Sequence, residues 1–242
     1  MQALIAGAGR GIGLAWLQKL LTEARWQRIY ALYRQPSPTL QELAAAQPRL
    51  QLVQVDLDSD RHLSELTQQI EGPLNWILNT SGVLHQTPQL QPEKSLQQLD
   101  RSALVSVFQT NAFNHLLLLQ ALQPLWARKG ELKLASLSAR VASIGDNRLG
   151  GWYAYRASKA ALNQLMHTLA IEVRRFNPGA VCVTLHPGTT ATELSRPFQA
   201  RVPEHQLFTV ERTAQQLHQV LEGLTAAQSG GFFAWDGQSI PW

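Results

Sequence analysis

Tyr155 and Lys159 stand four positions apart in the segment Tyr155-Arg156-Ala157-Ser158-Lys159. On a helix this spacing puts both side chains on one face. A phenol titrates at about 10 in water. A neighbouring ammonium stabilises its phenolate, so such a pair is suited to exchanging a proton near neutral pH. On its own the spacing is a weak signal, because packing explains most instances.

A second feature strengthens it. Near the start of the chain lies Gly7-Ala8-Gly9-Arg10-Gly11-Ile12-Gly13. Gly7, Gly11 and Gly13 meet a Gly-x-x-x-Gly-x-Gly spacing, while the stricter G-x-G-x-x-G spacing is not met. Glycines at a strand-to-helix junction let the backbone approach a pyrophosphate, which then rests on the helix N-terminus. A plain tight turn is the alternative, but the position after the first strand favours the phosphate. The second strand ends Ala31-Leu32-Tyr33-Arg34, with no carboxylate to accept from a ribose 2′-hydroxyl. A guanidinium there suits a 2′-phosphate. Arg10, inside the glycine loop, is a second cation of the same kind. Together Arg34 and Arg10 predict NADP(H) in preference to NAD(H).

These residues need a scaffold, and the hydrophobic pattern predicts one. Short apolar runs at 3–6, 28–33, 50–55, 74–79, 132–137, 180–185 and 231–235 read as strands. Stretches at 12–24, 104–128, 155–176 and 211–224 read as helices. The strand runs are continuously apolar, as strands covered on both faces are. β-α alternation along the whole length predicts an α/β fold: a doubly wound parallel sheet with helices on both faces. With no linker and no internal repeat, residues 1–242 are expected to form a single domain.

Composition narrows the function classes. Of 242 residues, 45% are apolar, which excludes a disordered or low-complexity chain. The net charge of +4 includes no basic run, so no nucleic-acid partner is expected. The one cysteine, Cys182, excludes an internal disulfide and reads as an inert core thiol. The histidines lack metal-ligand spacing, so no metal is expected. No apolar stretch is long enough to span a bilayer and nothing reads as a signal peptide, so a cytoplasmic protein without membrane partners is expected.

The combined motifs resemble the short-chain dehydrogenase/reductase family, and finer features resemble its C-factor-like subgroup. Those finer features are the Gly145-to-Trp152 insert, the segment Trp152 to Lys159, Leu194 to Gln199 and the tail Trp235 to Trp242. The resemblance implies a Rossmann-type fold and an enzyme that reduces an aldehyde or ketone to an alcohol. It implies that Gly7, Gly11, Ile12 and Gly13 hold the cofactor pyrophosphate, and that Asp56 and Leu57 lie at the adenine. It places Asn79-Thr80-Ser81-Gly82 after the fourth strand, beside the cofactor. Pro187, Gly188, Thr190 and Thr192 would lie against the nicotinamide amide. Tyr155 would be the proton donor and Lys159 its partner and ribose ligand, with Asn111 anchoring a relay water.

One position departs from the family pattern. The family's catalytic serine aligns with Ala139, within Ser138-Ala139-Arg140-Val141-Ala142-Ser143. Ser138 is the first candidate to replace it and Ser143 the second; strand alternation alone points Ser138 away from the face of residue 139. Two functional readings follow: a working reductase with a re-aimed serine, or an NADP(H)-binding signalling or scaffold protein with little chemistry. The resemblance also implies a substrate lid at about 189–210 and a homodimer or homotetramer built on the 104–128 and Tyr155 helices. Trp152, Phe198 and Phe208 are candidate walls of an apolar substrate pocket.

Overall fold

The computed structural model describes residues 1–35, 37–86 and 89–242. Its strands are β1 (Gln2–Ala6), β2 (Arg28–Tyr33), β3 (Leu50–Gln54), β4 (Trp76–Asn79), β5 (Lys133–Leu137), β6 (Val181–His186), β7 (Thr189–Thr190), β8 (Leu207–Phe208) and β9 (Phe232–Ala234). Seven of them form one parallel sheet in the order β3-β2-β1-β4-β5-β6-β9. Chain direction across the sheet reverses between β1 and β4, where Ala6 pairs with Asn79. In a sheet of this kind the crevice beyond those two carboxyl ends is where a ligand sits. The predicted doubly wound sheet is therefore observed.

The helices are α1 (Gly11–Leu21), α2 (Pro38–Ala46), α3 (Asp60–Gln69), α4 (Arg101–Phe108), α5 (Asn114–Leu122), α6 (Tyr153–Val173) and α7 (Val210–Gly223). Successive strand residues face opposite ways, so one apolar run feeds two cores. Leu4, Ala6, Leu32, Leu134 and Cys182 pack with Leu118 and Leu122 of α5 and with Leu162 and Met166 of α6. Ala3, Ile5, Ile29, Ala31, Ala135 and Val183 pack with Trp16 and Leu20 of α1 and with Leu217 and Leu221 of α7. Cys182 is buried, as expected of a core thiol.

The structure differs from the sequence pattern in three places. Helices α2 and α3 lie outside the helical stretches read from the sequence; hydroxyl caps start them, Ser37 accepting from the Leu40 N–H and Ser59 from the His62 N–H. The helix expected over 104–128 is interrupted by a π-helical turn at Gln109–Phe113 and closes in a 3₁₀ turn at Gln123–Leu125. β7 and β8 form a separate two-stranded ladder, Thr189 opposite Leu207 and Thr190 opposite Phe208. Among the described residues, no helix is long and apolar enough to cross a membrane.

Helix α6 carries both residues of the Tyr-Lys pair, and its seating on the sheet depends on Leu162, which is fully buried. Truncation there removes transfer energy and leaves a cavity. Leu162→Ala is expected to lower unfolding stability by about 2–5 kcal/mol, measured by urea titration. A loss under about 1 kcal/mol would show that α6 is anchored elsewhere.

Candidate active site

The glycine loop leaves β1 and turns into α1 in a conformation that needs its glycines. Gly7 and Gly11 have φ of +80° and +55°, where side chains are strained. At Gly13 a Cβ would overlap the Gly7 carbonyl oxygen and stand 2.5 Å from Thr80 Oγ1. Thr80 locks the other side of the crevice, its Oγ1 donating to the Ala6 carbonyl at 2.8 Å. The Arg10 side chain does not cap the helix it precedes. Backbone N–H groups of the first turn are thereby left for an anion.

Arg10 and Arg34 are both exposed, and among the described residues neither forms an ion pair. Gly9, beside Arg10, packs against Tyr33 and Gln35, which brings the two arginine-bearing loops together. Asp56 Oδ1 accepts from the Asp58 N–H at 3.1 Å, shaping the turn after β3, and Leu57 packs into the core.

Past β4, Asn79 is buried and its Oδ1 accepts from Ser81 N–H and Ser81 Oγ–H, at 3.0 and 2.6 Å. Its Nδ2 is buried with no hydrogen-bond partner. A Cβ at Gly82 would stand 3.4 Å from Asn111 Oδ1 and 3.5 Å from Lys159 Nζ, so both polar atoms face this glycine. Asn111 sits in the π turn. Its Nδ2 donates to Val83 O (2.8 Å) and Ser158 Oγ (3.2 Å), and its Oδ1 accepts from Val83 N–H (2.8 Å). Both amide hydrogens are used, so a water held by this side chain must donate to Oδ1.

Tyr155 and Lys159 lie on the first turns of α6, both buried. Lys159 Nζ donates to the Leu137 carbonyl at 2.8 Å. Burial brings the Lys159 amine down to about 7 and pushes the Tyr155 phenol up to about 12. Burial alone sets the phenol here, and it keeps its proton at neutral pH. His115 of α5 is a buried neighbour that sequence reasoning set aside. It contacts Ser81 O through Nε2 at 3.2 Å, and burial together with the Lys159 charge holds it well below its usual range, as a neutral ring.

The serine question has a structural side. Ser138 is buried and its Oγ lacks a hydrogen-bond partner. Ser136, two residues earlier, faces Met166 of α6. Alternation puts Ser138 on that same face, the one that carries Tyr155 and Lys159. Ser143 is also buried, but its Oγ accepts from the Asp146 N–H at 3.2 Å and so is tied to the following insert. The loop between them is held by His186, whose Nδ1 accepts from the Arg140 N–H at 3.2 Å.

Of the residues after β6, Gly188 has φ of +72° and a Cβ there would stand 2.6 Å from the Phe208 ring. Thr192 lies against Gly11, over the glycine loop. The Thr190 hydroxyl instead pairs with Thr213 Oγ1 of α7 at 2.8 Å. Phe208 is buried against Trp235, with ring centroids 4.8 Å apart, and so belongs to the core. Phe198 meets Trp152, at 4.9 Å.

A family model described as short chain dehydrogenase matches residues 1–203. The chain belongs to the short chain dehydrogenase family. Curated relatives of this chain include an uncharacterized oxidoreductase of Schizosaccharomyces pombe, 27% identical over 98% of this chain and 96% of that one. They also include C-signal of Myxococcus xanthus, 31% identical over 71% of this chain and 94% of that one. Among solved structures, the NADPH-bound carbonyl reductase from chicken fatty liver is 26% identical, with a TM-score of 0.86 over 100% of this chain and 94% of that one. The resemblance read from the motifs, to this family with C-factor-like relatives, is borne out.

Two outcomes test the geometry of this site. Gly13→Ala is expected to abolish NADPH binding, read by fluorescence titration; retained affinity would show that the loop does not hold the cofactor. Lys159→Met tests the buried amine. Its folded pKa of about 7 lies below the ordinary amine value of 10.5, so the unfolded chain binds more protons between these limits. Wild-type stability therefore falls as pH drops from about 10.5 to 7 and is level below that. The variant has no amine to protonate and is expected to gain on wild type as pH falls through the same window, by on the order of a few kcal/mol. Parallel pH–stability curves would refute the buried-amine reading.

Proposed function

We propose that this chain is an NADP(H)-dependent oxidoreductase that reduces a carbonyl to an alcohol, with Tyr155 as proton donor. The observation that carries the reading is the buried Tyr155-Lys159 pair at the carboxyl edge of the same sheet as the glycine cradle. The residues present fit a dinucleotide. Side-chain-free space at Gly7 and Gly13, an uncapped α1 terminus and the unpartnered Asn79 Nδ2 suit a cofactor backbone. The unpaired Arg10 and Arg34 suit a 2′-phosphate. Gly7, Arg10, Gly11, Ile12, Gly13 and Arg34 would hold the phosphates, with Asp56 and Leu57 at the adenine. Asn79, Thr80, Ser81 and Gly82 would line the middle of the cofactor, and Lys159, Pro187, Gly188, Thr190 and Thr192 its nicotinamide end. NADPH, when bound there, supplies a hydride to the carbonyl carbon.

The protein's own groups do the rest. At neutral pH Tyr155 keeps its proton, which is the form that a developing alkoxide needs. Lys159 and Asn111 Oδ1 face the same glycine, an arrangement suited to returning a proton through a water. Ser138, with its unpartnered hydroxyl on the α6 face, is the donor suited to polarising the carbonyl, whereas the Ser143 Oγ is anchored to the insert by the Asp146 N–H it accepts. Exposed apolar residues Val105 of α4, Phe113 of the π turn and Ile171 of α6 support the expected homo-oligomer. The described residues of the lid run between β7 and β8.

The second reading, an NADP(H)-binding protein with little chemistry, rests on Ala139 at the usual serine position. Carbonyl-dependent loss of NADPH absorbance separates the two. Wild type is expected to turn over, and Tyr155→Phe to abolish turnover while binding NADPH. Ser138→Ala is expected to lower kcat by about 10²–10³. Turnover retained in Tyr155→Phe would refute the proton-donor assignment. NADPH binding without wild-type turnover of any carbonyl, with activity appearing in Ala139→Ser, would establish the second reading.

A further inference from the structure

Among the described residues, Trp152 is the only one other than glycine with a positive φ, +54°. It follows Gly150 and Gly151, at +63° and +65°, so three successive residues are left-handed. A bulky side chain in that region is strained, and persists where its surroundings over-determine it. Two distant groups do so here. Glu93, buried although a carboxylate, accepts the Trp152 N–H on its backbone carbonyl and the Ala154 N–H on Oε2, the latter at 3.2 Å. Arg156 donates to Gly151 O at 2.9 Å and to Gly150 O at 3.1 Å. The turn is gripped from both sides.

What this strain positions is the indole. Its ring centroid lies 6.2 Å from that of Tyr155, edge to face, and 4.9 Å from that of Phe198, in the segment between β7 and β8. Phe198 in turn meets the His85 ring at 6.0 Å. Among the described residues, Glu193 pairs with Arg196 and Arg140 with Asp146. Phe198 is thus an uncharged aromatic ring seated on a rigid indole next to the proton donor.

We propose that Trp152 is a specificity-determining wall, and that Phe198 holds against it the seat that an aryl group of a neutral carbonyl substrate takes when this segment swings aside. The proposal rests on the reductase reading for its chemistry, but the seat itself is a binding property.

The test has two arms. The first compares kcat/KM for benzaldehyde and for its saturated counterpart, cyclohexanecarbaldehyde, with NADPH. The second needs no turnover. It measures by calorimetry the binding of benzyl alcohol and of cyclohexylmethanol to the NADPH-loaded protein, a pair that cannot react, and to the free protein. Wild type is expected to favour the aryl member by about three- to tenfold in both arms. Trp152→Leu is expected to bring the ratio near one without weakening NADPH binding, and Trp152→Phe to restore part of it. No aryl preference in wild type, or a ratio unmoved by Trp152→Leu, overturns the proposal. Equal reduction of both aldehydes leaves the reductase reading standing and removes the aromatic seat. A Trp152-dependent binding preference with no reduction of either aldehyde does the opposite.

Discussion

An amine buried away from water governs the arrangement of this molecule's working edge. Among the described residues, Lys159 has a single hydrogen-bond acceptor, the Leu137 carbonyl at the end of β5. That bond ties the start of α6 to the sheet beside the β1/β4 crevice, and it holds the amine where its charge is costly. Groups around it are neutral or small: His115 as an uncharged ring, Gly82 with no side chain, Asn111 as an amide. A carboxylate in their place would pair with the amine and hold it charged. The environment instead keeps a base that titrates close to neutrality next to a phenol that does not.

The fold was largely legible because parallel strands buried on both faces write themselves as apolar runs. All seven sheet strands lie within two residues of where the pattern puts them. Helices α2 and α3 were missed because each is short and buries little, Leu40 in one and Leu63 with Leu66 in the other, so that the caps Ser37-Pro38 and Ser59-Asp60 are their plainest marks. The π turn was invisible for a different reason. It serves contacts made across the fold, from Asn111 to Val83 and Ser158, that no local window contains.

The site divides along the same line. Gly7, Gly13, Tyr155 and Lys159 were readable because each is set by local geometry, a turn or a helical repeat. The grip of Glu93 on the start of α6 joins segments some sixty positions apart (|i−j| = 61) and left no local signal. Phe198 and Phe208 looked alike in sequence, and only packing separates the ring on Trp152 from the ring on Gly188 and Trp235. At the opposite edge of the sheet, His218, Glu23 and Glu222 gather in a way the histidine spacing did not announce. Trp16 Nε1–H donates to His218 Nδ1, which puts the ring proton on Nε2, 2.7 Å from Glu23 Oε1. The proton occupies the atom that a metal would need, and Arg25 and Lys19 neutralise the carboxylates.

The ladder of β7 and β8 has a consequence of its own. The chain departs after Thr190 and rejoins at Leu207, and the two ends are stitched by only two residue pairs. Whatever lies in between is a detachable loop of text, and rewriting it leaves the grammar of the seven strands untouched. On the reductase reading, a lineage that keeps Thr192 over Gly11 can trade one chemical clientele for another by exchanging the rest of this passage, while the cradle and the buried amine are inherited unchanged.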